Sequence, residues 1–236
     1  AWTEREEPDV LALQEIKTED AGFPREAFAE LGYHIETYGQ RTYNGVALLA
    51  KKPLEAVIRG FPEEPEDAPR RLLAASVAGL RVICVYVPNG QVVGSDKFAY
   101  KLEWMDALAA YLESSASPTE PLLVLGDFNV APEERDVHFP DRWRGQVLFH
   151  PEERARLAKL EAWGLFDLFR KHHQEGGFYS WWDYRQLAFP KNDGLRIDLI
   201  LGTRPILDRS FACNIDRNER KGKAPSDHAP VVVFLS

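Results

Sequence analysis

Seven short apolar runs punctuate this chain of 236 residues, at 9–13, 45–50, 72–78, 80–87, 122–126, 197–201 and 231–235, and none is longer than eight residues. Runs of that length rich in Val, Ile and Leu read as strands. Helical periodicity lies between them. Residues 24–31 open with Pro24 in a first turn. Residues 96–113 place Phe98, Leu102, Met105, Leu108, Ala109 and Leu112 at three- and four-residue steps behind Ser95 as N-cap. Residues 152–163 repeat the pattern with Ala155, Leu160 and Trp163. Strands intermixed with helices predict a layered α/β fold. The two runs flanking Gly79 predict a hairpin, hence some antiparallel sheet. No apolar stretch approaches the roughly 20 residues of a membrane span, and no secretory leader is visible.

Nothing in the composition divides the chain, and no repeat recurs at periods of about 20–50 residues. A single domain over 1–236 is expected, with the proline-rich acidic stretch FPEEPEDAPRR (61–71) as a surface loop between strands. The opening AWTEREEPDV reads as the end of an amphipathic helix entering a strand, so a segment upstream of Ala1 is expected. Cys84 and Cys213 lie in or beside apolar runs, which suits two buried thiols in a reducing cytosol.

The net charge of −8 and pI near 5.4 argue against a nucleic-acid partner when taken for the whole chain. The distribution tells another story. Residues 1–70 hold 8 Lys/Arg against 15 Asp/Glu, whereas 170–223 hold 11 Lys/Arg against 7 Asp/Glu. One basic face on an acidic protein can still bind phosphates, with strong salt dependence.

Polar residues gather where the apolar runs stop. In VLGDFNVAP (124–132) the run ends at Gly126, and Asp127 and Asn129, two apart, share one face of an extended backbone. They could cap a turn, or hold a metal, a water and a charged substrate. Glu15 follows DVLAL, Tyr86 and Asn89 end VICVYVPNG, and Asp227 and His228 precede the last run. Taken singly, each has a plain reading: Glu15 a solvated loop acid, Asn129 a turn residue, Tyr86 an amphipathic core tyrosine, His228 a hydrogen-bonded structural histidine, Trp181 and Trp182 core. Asp198 is different, because an acid flanked by Ile197, Leu199 and Ile200 is costly to bury unless paired, and a histidine is its natural partner. Together these groups suit a hard cation. Oxygen ligands without a cysteine or histidine cluster favour Mg²⁺ or Mn²⁺ over zinc, and such a site suits phosphate-ester hydrolysis.

The stretches LALQEIK, YNGVALLAK, VYVPNG, GDFNVAP, YSWWDYR, NDGLRIDLIL and SDHAPVVV follow one another between about residues 9 and 234. On them the sequence resembles the exonuclease III family of apurinic/apyrimidinic endonucleases, within the endonuclease/exonuclease/phosphatase superfamily. WRGQVLFHPEERARL is similar to the middle of its bacterial members. The resemblance implies a four-layer α/β sandwich of two packed mixed β-sheets with the active site at one end. The family's first strand, which carries a W-N-x-N-like motif, has no counterpart after Ala1, so an N-terminal strand is expected to be missing from this sequence.

By the same resemblance Glu15 and Asp227 would hold Mg²⁺, with Mn²⁺ able to substitute. Asp127 and Asn129 would orient the water and stabilise the leaving oxygen. Tyr86 would sit near the scissile phosphate, and Asp198 would pair with His228. Asn89 and Lys17 would contact phosphate, while Trp181 and Leu195 would line the pocket for a flipped abasic sugar. The implied reaction is hydrolysis of the phosphodiester 5′ to an abasic site, with 3′–5′ exonuclease and 3′-end trimming. The implied partner is double-stranded DNA with abasic sites or blocked 3′ ends, met by a monomer in a bacterial cytoplasm and without a membrane. The alternatives are a superfamily phosphatase or phosphodiesterase acting on RNA or a lipid headgroup, and an inactive DNA-binding fragment.

Overall fold

The computed structural model describes residues 2–236. They form two compact units, one running to Tyr86 and adding Pro121–Gly126, the other comprising Val87–Glu120 and Asp127–Ser236.

In the first unit, strands β1 (Val10–Gln14), β2 (His34–Tyr38) and β3 (Val46–Ala50) form an antiparallel sheet ordered β1-β3-β2. The central VALLA of β3 is buried at every position, as its unbroken apolar run requires. Its residues alternate between two cores. Val46 and Leu48 face one side with Val10 and Ala12, and Ala47 and Leu49 face the other with Leu11 and Leu13. The second side is closed by Phe23, Phe28 and Tyr33 around the helix Arg25–Ala29. Against the first side packs a sheet of β4 (Glu55–Arg59), β5 (Leu72–Val77), β6 (Leu80–Tyr86) and β7 (Leu122–Asp127), in the order β4-β5-β6-β7. Leu73, Ala75, Val82, Cys84 and Tyr86 fill the space between the sheets.

The expected hairpin closes β5 onto β6 through Ala78 and Gly79, both left-handed (φ 48° and 83°), a turn whose twist matches that of the strands. At the end of β7, Gly126 has φ 140°, and a Cβ there would lie 2.0 Å from the Val85 carbonyl oxygen. Only glycine lets the chain pass β6 so closely just before it delivers Asp127.

In the second unit, β8 (Phe166–Asp167) pairs antiparallel with β9 (Asp198–Gly202), and β10 (Ser210–Ile215) with β11 (Val231–Leu235). The helix Asp96–Ser115 is capped by Ser95 Oγ, which accepts the Phe98 N–H at 3.2 Å, and packs on the helix Pro151–Trp163. A buried ionic cluster fixes the approach to β9. Asp136 Oδ1 accepts from Arg196 Nε at 2.6 Å and from Arg170 Nη2, and Arg196 Nη2 reaches Asp167 Oδ2 at 2.7 Å. Burial pushes the Asp136 carboxyl up, but the two guanidiniums outweigh it and hold the group below the usual carboxylate range. Each unit encloses one thiol, Cys84 in the first and Cys213 in the second, and burial pushes both up to about 12.

All seven apolar runs are strands and all three periodic segments are helical, within a layered α/β architecture. The sequence did not reveal β2, β4, β8 and β10. Residues 61–71 do connect β4 to β5. No helix among the described residues is long and apolar enough to cross a membrane.

Candidate active site

Asp127 ends β7, and Asn129, two residues on, is left-handed (φ 50°), a conformation asparagine tolerates. The turn folds Asn129 back onto the acid. Its backbone N–H donates to Asp127 Oδ1 at 2.8 Å, and its Nδ2 donates to Asp127 Oδ2 at 3.1 Å and to the Val87 carbonyl at 3.0 Å. Asn89 Nδ2 donates in turn to Asn129 Oδ1 at 3.0 Å. Asp127 and Asn129 are both buried, so this arrangement is fixed by packing as well as by hydrogen bonds.

Asp198 opens β9, where Ser180 Oγ accepts the N–H of Ile197 at 3.1 Å and of Asp198 at 3.0 Å. Its carboxylate meets His228 Nδ1 at 2.9 and 3.0 Å. The other ring nitrogen, Nε2, lies 3.9 Å from Asp127 Oδ2. One imidazole therefore stands between two carboxylates.

Burial disfavours the imidazolium, but Asp198, then Asp127 and Asp227, outweigh it and push the His228 pKa up to about 10. A folded pKa above the ordinary 6.5 means that this charge stabilises the fold fully below about pH 6.5 and stops doing so as pH rises through 10. NMR titration of the ring in EDTA should show imidazolium beyond pH 8, and Asp198→Asn should move the midpoint down toward 6.5. A wild-type midpoint at or below about 7 would remove the carboxylates as the cause.

Asp127, Asp198 and His228 each offer one ligand atom, all within 4.8 Å of one another. Two carboxylates and one imidazole fit a divalent cation, and the oxygen majority suits a hard one. Asp227 is engaged otherwise: its Oδ2 accepts from Trp181 Nε1 at 3.0 Å and its carbonyl from the Trp182 N–H at 3.1 Å. The tryptophan pair is split. Trp182 is fully buried beside Tyr179, Ala188 and Ala229, whereas Trp181 lines a cleft of about 250 Å³ with Arg142, Trp143, Asp183 and Arg185. Leu195 exchanges two backbone hydrogen bonds with Trp181, at 2.9 and 3.0 Å, and lies in the core with Val137 and Phe149 rather than in that cleft.

The first unit carries a polar cluster of its own. Glu15 and Lys17 are both left-handed (φ 52° and 53°). Such strain costs about 1–3 kcal/mol per residue and persists only where surrounding contacts enforce it. Glu15 Oε1 accepts from the Tyr86 hydroxyl, and Glu15 Oε2 pairs with Lys17 Nζ at 2.8 Å. The Arg71 guanidinium lies 4.7 Å over the Tyr86 ring. A carboxylate, a phenol and two cations are thereby grouped at the ends of β1 and β6.

Two residues that sequence reasoning passed over support the second unit's site. Ser180 orients the start of β9 and bonds the Ala229 N–H through its carbonyl at 2.7 Å; nothing in YSWW distinguishes it. Lys101, fully buried, bonds the carbonyl of Asn129 at 2.6 Å. Its signal was legible, since it interrupts the apolar stripe of its helix.

Comparison with known proteins places this geometry among others. The endonuclease/exonuclease/phosphatase family matches residues 1–228. Exodeoxyribonuclease III of Haemophilus influenzae is 39% identical over 243 residues, covering 98% of this chain and 91% of the relative. The structure of an AP endonuclease from Archaeoglobus fulgidus superposes with a TM-score of 0.96 at 38% identity, covering 99% of this chain and 91% of that one. The 3′ phosphatase NExo from Neisseria, bound to a product DNA hairpin, gives a TM-score of 0.93 at 39% identity over 97% of this chain and 89% of its own.

Proposed function

Because this chain belongs to the endonuclease/exonuclease/phosphatase family, we propose that it is a DNA-repair nuclease that cleaves the phosphodiester 5′ to an abasic site and processes blocked 3′ ends. The observation that carries the reading is the line Asp198–His228–Asp127. Asp198 holds Nδ1 of the ring, so Nε2 is aimed toward Asp127 Oδ2 at 3.9 Å. That separation is too long for a direct hydrogen bond and short enough for one oxygen to bond both groups.

Asp127, held at both oxygens by Asn129, orients the attacking water and takes its proton. His228, as imidazolium, donates from Nε2 to an oxygen of the phosphate, while Asp198 fixes the ring. Asn89 and Asn129 hold the amide dipoles around Asp127. Glu15 in the first unit would hold Mg²⁺, which when bound offsets charge on the phosphate. In the first unit Tyr86 and Lys17, beside Glu15, are donors suited to phosphate oxygens.

Damage is read by shape. An abasic nucleotide lacks a stacking base, so extruding it costs less than flipping an intact one. The half-buried Trp181 offers an apolar wall for the bare sugar, and Arg142 and Arg185 at the same cleft suit the backbone. Processing of 3′ ends is favoured as a second activity of the same site by the 39% identity to a 3′ phosphatase bound to DNA.

The test is cleavage of a labelled duplex with one tetrahydrofuran abasic analogue, beside a nicked duplex ending in 3′-phosphate, in Mg²⁺ and in EDTA. Magnesium-dependent incision 5′ to the analogue is expected. Release of 3′-phosphate without incision would shift the assignment to end processing, and neither activity in folded protein would overturn it.

A further inference from the structure

The buried face of the helix Asp96–Ser115 reads Phe98, Lys101, Met105, Leu108, Leu112, a lysine inside an apolar stripe. Lys101 is fully buried, and its ammonium has three hydrogens to place. Three acceptors surround it: Glu153 Oε1 at 2.5 Å, the Asn129 carbonyl at 2.6 Å and the Asn89 carbonyl at 3.1 Å. Glu153 is fully buried as well, and accepts the N–H groups of His150 at 2.9 Å and Leu148 at 3.3 Å. The Leu148 carbonyl accepts the Ala131 N–H at 2.7 Å, a second tie to the segment after Asp127. The approach is close at Gly90 too, where a Cβ would lie 3.0 Å from Lys101 Cδ. Three segments, 87–95, 127–132 and 146–150, thus meet around one nitrogen.

We propose that Lys101, balanced by Glu153, is a positioning residue for Asp127. It touches no reacting atom. By fixing the carbonyls of Asn89 and Asn129 it fixes the left-handed turn at Asn129, and with it the two donors that Asn129 presents to Asp127 and the donor that Asn89 presents to Asn129. A tetrahedral ammonium can satisfy one carboxylate and two carbonyls at once. A planar guanidinium spreads its donors in a fork, and a methionine of similar length donates nothing.

A purely structural role is separable from positioning, because replacing a buried ion pair by neutral groups of similar volume often preserves stability. The variant Lys101→Met/Glu153→Gln removes both charges; the single glutamine oxygen can keep the His150 amide that Glu153 Oε2 accepts, while the Leu148 amide loses its acceptor on Oε1. It is expected to fold with a lowered melting temperature, since the Asn89 and Asn129 carbonyls lose their donor, to keep KM for the abasic duplex within about threefold, and to lose about 10²-fold in kcat, the scale of a small misplacement. Wild-type kcat in the folded double variant would overturn the proposal.

Glu153→Gln alone gives a second measurement, hydrogen exchange at the Asn129 backbone amide that bonds Asp127 Oδ1. Exchange at least about tenfold faster, with core amides such as Leu108 unchanged, supports the proposal; unchanged exchange overturns it. That comparison decides the matter if the double variant does not fold. The kinetic arm rests on the proposed function, but the exchange arm does not. A wild-type chain inert on abasic DNA would therefore sink the proposed function and leave the positioning of Asp127 decidable.

Discussion

On the proposed function, Asp127→Ala is expected to lower kcat on abasic duplex by about 10²–10⁴-fold, the range of a lost general base, and His228→Ala to lower it by a similar factor. KM is expected to stay within a few-fold, because Asp127 meets the water and His228 supplies one donor to one phosphate of a long backbone interface. Alanine at 127 removes the acceptor of both Asn129 donors, so Asn129 loses its anchor and the proposed base is gone. Alanine at 228 removes the imidazolium that Asp198 holds. Groups that act as one unit are not additive, so the double variant should be scarcely slower than the worse single one. Single-turnover rates at saturating metal are the measurement. A loss below tenfold in both single variants would take the pair out of the chemistry.

Asp136→Ala destabilises the chain by about 3–5 kcal/mol, the cost of breaking a buried ion cluster by removing one partner. Asp136 is the shared acceptor of Arg170 and Arg196, both buried, and its other oxygen accepts the Glu133 N–H at 3.0 Å. Alanine leaves two guanidiniums in the interior with Asp167 as their remaining carboxylate in that cluster. Urea unfolding should show a lower midpoint at unchanged m. Glu134→Ala is the contrast, since its pair with Arg144 is exposed on both sides and such pairs contribute about 0–1 kcal/mol. A loss under about 1 kcal/mol for Asp136→Ala would mean that Asp167 alone balances the cluster.

The strands that the sequence concealed are short or bear polar residues at edges. In β4, EAVIR at the end of its sheet, four of five residues are exposed, and β2, HIETY, is an outer strand with one residue buried. Charges that protect an edge from stray pairing also erase its apolar signature. The interior strand Val46–Ala50 had no such need and is plain as an apolar run. The same logic divides the site. Asp198 was legible because a lone acid among Ile and Leu demands a partner. The tie of Asp227 to Trp181 was not, since adjacency to His228 says nothing about which way each side chain turns. Lys101 is hidden because an equally regular apolar spacing runs through Leu102 and Ala109, both only half-buried, whereas the buried stripe lies one position earlier through the lysine. The strain at Glu15 and Lys17 has no counterpart in composition or periodicity.

The two buried thiols have a practical consequence. A thiol with a pKa near 12 is almost wholly protonated at neutral pH, and it is the thiolate that attacks an alkylating reagent. Cys84 and Cys213 therefore become reactive only when the surrounding structure opens. With one in each unit, the chain carries two internal clocks. The rates at which iodoacetamide captures the two sulfurs, separated by mass spectrometry, time the breathing of each unit without any label being engineered in.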